Sequence, residues 1–107
     1  TLGILADIEA TPNMPTEYEL MANYPNPFNP STMLRFGLPT TAWVKVSIYT
    51  MNGRLIRTLV NAETAAGYHE VEWNGRDDAG ALVSSGVYLC RFESGEWKQT
   101  IKMVFAK

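Results

Sequence analysis

Cysteine and histidine are scarce in this sequence of 107 residues, which holds Cys90 as its single cysteine and His69 as its single histidine. One cysteine leaves no internal disulfide, and a buried small hydrophobe is the common role of such a thiol. The usual zinc sites draw on several cysteine and histidine ligands. We therefore expect a domain that folds on its apolar core alone, with no cofactor and no metal.

A charge excess of one sign and long apolar runs are also missing. The formal net charge is −2, and the nine lysines and arginines are spread along the chain, whereas a nucleic-acid-binding domain usually carries a basic patch. No run reaches the roughly 18 apolar residues of a membrane-spanning helix, and the N-terminus lacks a signal-peptide pattern. We expect no nucleic-acid binding and no membrane span. Because the sequence begins with Thr1, we expect it to be excised from a longer protein that carries any export signal.

The sequence indicates no catalytic site. Nucleophilic catalysis needs a nucleophile, a base and an orienting group, and His69 shares a strand face with apolar residues, as a core or boundary histidine does. Asp77 and Asp78, with Asn74, could hold calcium through oxygen ligands, but their spacing does not fit an EF-hand loop. Side chains of this type more often satisfy backbone donors in tight turns. We predict that the protein is not an enzyme.

Apolar residues recur at every second position in several segments, which is the pattern of half-buried strands. It predicts strands around 33–38, 44–49, 54–60, 68–73, 86–92 and 97–105, with a seventh at 19–23. Turn signals separate them about every ten residues, and no segment has helical periodicity. We predict an all-β fold, an immunoglobulin-like antiparallel β-sandwich of about seven strands.

The connections carry more specific expectations. Asn52-Gly53 predicts a two-residue hairpin turn, the polar stretch 61–66 predicts a loop, and the Asx- and glycine-rich stretch 74–80 predicts a tight turn cluster. Tyr88, two residues before Cys90, is placed like the tyrosine corner of antibody-like domains. Prolines between Thr11 and Thr16 predict an extended linker. We therefore divide the chain into a linker or tail of a preceding domain, 1–17, and the sandwich domain, 18–107.

The densest local feature is the proline run, Tyr24-Pro25-Asn26-Pro27-Phe28-Asn29-Pro30. Three prolines fix φ and remove donors, so the run predicts a rigid extended connector. We expect Tyr24 and Phe28 to bury their rings against the sandwich, and Asn26 and Asn29 to cap turns.

A family resemblance begins at this run. Residues 23–32, followed by Leu34, Phe36, Leu38 and Pro39, resemble the opening of the C-terminal sorting domain, type A, of proteins exported by the type IX secretion system. The likeness continues through Val44–Tyr49, Asn52-Gly53, Trp73-Asn74-Gly75, Ser85-Gly86 and Tyr88 to Lys102-Met103-Val104 and Lys107. It covers about residues 18–107 and departs from the family pattern at Asn74, Cys90 and Ile101.

The resemblance implies a non-catalytic secretion signal for a larger cargo protein that precedes this domain. Cargo of this family folds in the periplasm and is recognised through its C-terminal domain by an outer-membrane translocon. In many relatives a surface sortase then cleaves upstream, here within about Thr11 to Glu17. The expected location is the periplasm in transit, then the surface or exterior of a Gram-negative bacterium. The implied sorting residues are Tyr24, Pro25, Asn26, Pro27, Phe28, Asn29, Pro30, Lys102, Met103, Val104, Phe105 and Lys107.

Alternative functions remain open on the sequence. The immunoglobulin-like domain of flagellar hook-capping proteins shares the blocks around Trp73 and Tyr88, and there the domain is a scaffold part. An accessory sugar-binding sandwich would need exposed aromatic rings, but we expect Trp73 and Trp97 in the core and only Trp43 exposed. The last strand, Trp97–Phe105, is either an edge that can add to a partner's sheet or an ordinary edge guarded by lysines.

Overall fold

The computed structural model describes residues 14–107. The apolar stretch Leu2–Ile8 and most of the expected linker lie outside the described residues. Seven strands follow in chain order: β1 (Glu19–Leu20), β2 (Thr32–Leu38), β3 (Ala42–Thr50), β4 (Leu55–Thr64), β5 (Gly67–Trp73), β6 (Gly86–Ser94) and β7 (Trp97–Phe105). The described part of the chain contains no helix, so the all-β prediction is confirmed.

The strands form two antiparallel sheets, one in the order β1-β2-β5 and one in the order β4-β3-β6-β7. Alternate residues of each strand face the space between the sheets, where fifteen buried apolar side chains form one core. Val44, Val46 and Ile48 of the central strand β3 are fully buried, as their period of two predicts. The edge strands β4 and β7 keep one long side without a neighbouring strand of their sheet in the described structure.

Trp73 is the largest fully buried side chain among the described residues. The ring of Tyr88 packs edge-on against it, with 5.3 Å between the ring centroids. The hydroxyl of Tyr88 donates a hydrogen bond of 2.6 Å to the carbonyl oxygen of Ser84, four residues upstream. This contact is the tyrosine corner that the sequence predicts. Cys90 lies in the core as a fully buried free thiol, also as predicted.

Two predictions about connections were wrong. Residues 61–64 continue β4 and pair with Ala42–Lys45 of β3 instead of forming a loop. Their side chains lie on an edge strand and are mostly exposed, so apolar alternation gives no signal there. The β3–β4 hairpin has a three-residue loop, closed by hydrogen bonds from Gly53 N to Thr50 O and from Thr50 N to Arg54 O. Only Gly53 has a positive φ, 92°, whereas a two-residue type I′ turn needs one at Asn52 as well.

The buried thiol should make stability fall in alkaline solution. Burial raises the pKa of Cys90 from 9.0 to about 12, so between these values the unfolded chain releases a proton that the folded chain keeps. The free energy of unfolding should therefore decrease with pH in this window, by about 1.4 kcal/mol per pH unit relative to a Cys90→Ala variant. Urea unfolding of both proteins in reducing buffer at several pH values measures the difference. Parallel pH profiles would show that the thiol is not shielded.

Candidate functional site

The proline run lies beside the end of β7. Phe28 forms an isolated parallel bridge with Phe105. Its amide donates to the carbonyl oxygen of Val104 at 2.9 Å, and its carbonyl oxygen accepts from the amide of Ala106 at 3.0 Å. The run therefore occupies, for about one residue, the position of a further strand next to β7. We call this contact between the proline run and residues 102–106 the run–strand junction.

Asn26 strengthens the junction with its side chain. Its Oδ1 atom accepts a hydrogen bond of 2.9 Å from the amide of Val104, and its Nδ2 atom lies 3.5 Å from the carbonyl oxygen of Lys102. The Asn26 side chain therefore bonds backbone groups on the edge of β7, which lies 76 to 78 residues away in the sequence. The expectation that it caps a local turn was wrong.

Phe28 anchors the run in the core. Its ring is almost fully buried, stacks on Phe105 with centroids 4.9 Å apart and lies 5.4 Å from Trp73. Phe105 in turn lies against Gly75, where an added Cβ atom would come within 3.1 Å of the Phe105 ring. Gly75 also has a positive φ of 74°, so two independent constraints favour glycine after Trp73 and Asn74.

Buried polar groups hold the two ends of the run together. Asn23 Nδ2 donates to Thr32 Oγ1 at 3.0 Å, and Thr32 Oγ1 donates to the carbonyl oxygen of Pro25 at 2.8 Å. Both side chains are buried, so these bonds are shielded from water. They hold the residues before and after the proline run at a fixed distance. Tyr24, which pairs with Met33 through its backbone, is 80% exposed. The expectation that its ring is buried was wrong.

The structure brings together five of the twelve residues that the resemblance implies. These are Asn26, Phe28, Lys102, Val104 and Phe105. Met103 is buried in the core, and the amide of Lys107 donates to Ser85 Oγ at 3.0 Å. The others, Tyr24, Pro25, Pro27, Asn29 and Pro30, are exposed. Sequence reasoning missed Asn23 and Thr32, since nothing in their local pattern indicates that they close the run.

The remaining sequence candidates have structural roles. His69 stacks on Phe36 at 5.4 Å, and its Nε2 atom lies 2.7 Å from the carbonyl oxygen of Ala65. Asp77 Oδ1 accepts from the amides of Ala79 and Ala81, as a turn residue does. Residues 14–107 contain no group of three or more side chains suited to hold a metal ion.

The tryptophans do not form an aromatic platform. Trp73 is buried, Trp97 is partly buried against the core, and Trp43 alone of the three is largely exposed, at 60%. In the part of the chain that the structure describes, no helix is long and apolar enough to cross a membrane.

Removal of the Asn26 side chain should loosen the junction. In an Asn26→Ala variant the amide of Val104 loses its acceptor, so we expect a free energy of unfolding about 1 kcal/mol lower than in the parent protein. Asn29→Ala is the matched control, because Asn29 is also exposed and makes no side-chain hydrogen bond within residues 14–107. Urea unfolding of both variants gives the comparison. Equal stabilities would contradict the assigned role of Asn26.

Comparisons with known proteins concern the fold of the domain as a whole. No curated protein matches the chain in sequence. Two solved structures from Porphyromonas gingivalis share its fold. One is PorZ, an essential surface component of the type-IX secretion system (24% identity, TM-score 0.57, 84% of this chain and 11% of that chain covered). The other is dimeric latent PorU (21% identity, TM-score 0.63, 84% and 9% covered). The chain thus spans about a tenth of each.

At these identities the likeness to PorZ and PorU concerns the fold alone. A family model is more specific: the model of the FlgD Ig-like domain matches residues 28–95, from the anchor Phe28 to the turn between β6 and β7. Since this match includes more than half of the sequence, the chain belongs to the family of FlgD Ig-like domains.

Proposed function

We propose that this domain is a non-catalytic C-terminal sorting signal, which directs a larger cargo protein through the outer-membrane translocon of a type IX secretion system. The observation that carries the proposal is the run–strand junction. The sequence resemblance singles out two blocks, the proline run and the end of β7, and hydrogen bonds at Asn26 and Phe28 join them into one surface feature. Separate structural roles for the two blocks would not require this contact.

A folded sandwich suits recognition. Its packed core holds the surface in one conformation, so the domain loses little conformational entropy when a partner binds. The proposed partners are the translocon, a surface sortase and the cargo domain that precedes residue 18. The proposed route leads from the periplasm to the cell surface or the exterior. The shared fold of PorZ, itself a surface component of such a system, is compatible with this route.

A structural scaffold is the second candidate, and the family match favours it directly. In that case the domain would hold neighbouring parts of an assembly and would carry no address. A transport assay separates the two functions, because a scaffold domain gives an attached reporter no route across the outer membrane.

Fusion of residues 1–107 behind a signal peptide and a fluorescent protein should send the reporter outside a host that has the secretion system. An Asn26→Ala fusion should be exported less than a Thr40→Ala fusion, because Thr40 is an exposed turn residue outside both the junction and the implied sorting residues. Fluorescence in medium, surface and periplasmic fractions gives the result, with protease resistance as the control for folding. A folded reporter that stays in the periplasm would refute the sorting function.

Processing of the exported fusion should occur on the N-terminal side of Pro15. A protease needs several consecutive accessible residues. Met14, Thr16 and Glu17 are exposed, but Pro15 between them is buried over Gly37 and interrupts the accessible chain. We therefore place cleavage between residues 11 and 14 within the wider window of 11–17. Mass spectrometry of the released reporter identifies its new C-terminus. A cut after residue 15, or a reporter that keeps residues 18–107, would contradict this placement.

A further inference from the structure

We propose that the part of the β7 edge from Lys98 to Lys102, here called the open edge, binds an extended acidic segment of a partner protein as an added strand. For the identity of that partner, the inference rests on the proposed sorting function. The binding itself depends only on the geometry and the charge of the edge.

The backbone of the open edge faces outward at alternate residues. β7 is the last strand of its sheet and pairs only with β6 among the described strands. The amide and the carbonyl oxygen of Val104 point away from β6, since Asn26 and Phe28 bind them. By the alternation of an antiparallel ladder, the same groups of Lys98, Thr100 and Lys102 also point outward.

The proline run covers only one end of this row. It binds both outward groups of Val104 and approaches the carbonyl oxygen of Lys102. Within residues 14–107, the outward amides of Lys98 and Thr100 donate no hydrogen bond and their carbonyl oxygens accept none. The segment around β1 contacts this stretch only through the intervening side chains, as Tyr18 stacks on Trp97 and Gln99 Nε2 donates to the carbonyl oxygen of Leu20. A row of unpaired donors and acceptors of this kind is a template for an added strand.

The charge of the edge selects an acidic occupant. The strands of the four-stranded sheet carry Lys45, Arg57, Arg91, Lys98 and Lys102 against Glu63 and Glu93, a net formal charge of +3. The strands of the other sheet carry Arg35 against Glu19, Glu70 and Glu72, a net of −2. Lys98 and Lys102 are exposed on the same face of β7, so acids four residues apart on an added strand would lie opposite them.

The same charges disfavour a second copy of this chain. Antiparallel pairing of two open edges about Thr100 sets Lys98 of one copy opposite Lys102 of the other, and like charges in this position are destabilising. The lysines thus prevent self-association through the edge and leave it available to a strand of opposite charge.

A shallow cavity borders the open edge on the outer face of the sheet. Its volume is about 330 Å³, and Tyr49, Leu89, Arg91 and Thr100 are among the residues that line it. An apolar side chain of an added strand could contact Leu89. Arg91 forms an ion pair with Glu93, with 3.3 Å between Nε and Oε2, so Lys98 and Lys102 are the positive charges that face an added strand.

The test uses the full chain labelled with ¹⁵N and a synthetic peptide of nine residues. Threonine and valine alternate in the peptide, except that glutamate occupies the third and seventh positions, which matches the spacing of Lys98 and Lys102. We expect peptide-induced shifts and slowed hydrogen exchange at the amides of Lys98, Thr100 and Lys102. A peptide with lysine in place of both glutamates should not bind.

Two variants locate the contact. Thr100→Pro removes one outward amide without loss of a bond to β6, so peptide binding should disappear. Lys98→Glu should weaken binding about fivefold, because one opposite-charge pair becomes a like-charge pair. Arg54→Glu is the matched control, with the same change of net charge at an exposed turn residue, and should change affinity less than about twofold.

Absence of binding at about 1 mM peptide, shifts centred outside β7, or equal binding of the lysine peptide would each overturn the proposal. A dimer formed through the open edge in analytical ultracentrifugation would also overturn it. Peptide binding without export of the reporter would leave this inference standing and refute the sorting function. Export that is unaffected by Thr100→Pro would refute the role of the edge and leave the sorting function standing.

Discussion

The domain depends on the packing of Phe28 against Phe105 and Trp73. This aromatic contact holds the proline run against the core, and the backbone bonds of Phe28 then align the run with the end of β7. Residue 75 has to be a glycine, because an added Cβ atom would come within 3.1 Å of the Phe105 ring. Removal of the Phe28 ring would leave a large cavity between the sheets, at a cost of roughly 3 to 5 kcal/mol.

Much of the fold follows from the sequence, because most strands have one face in the core and therefore show period-two alternation. The full burial of Val44, Val46 and Ile48 follows from that pattern. It fails in the second half of β4, where an edge strand buries little on either face. The hairpin after β3 shows another limit, since Asn52-Gly53 fits more than one turn type and the closing pair Thr50 and Arg54 decides between them.

The candidate site was only partly predictable. Composition and resemblance identify the proline run and the last strand, but neither indicates that Asn26 reaches Val104 across 78 residues. Such a contact depends on how the two sheets stack, and stacking is a property of the whole chain. The exposed ring of Tyr24 illustrates the same limit, because aromatic character alone does not decide on which side of a connector a side chain lies.

The run–strand junction also constrains the order of assembly during synthesis. Phe28 emerges from the ribosome long before Phe105, and the sandwich cannot close around its ring until the final strand has been made. A chain that stops before Val104 has neither the amide that Asn26 binds nor the ring that Phe28 stacks on. The complete fold therefore forms only after residue 105 has been translated, and a receptor that binds only this fold would not bind chains truncated before that residue.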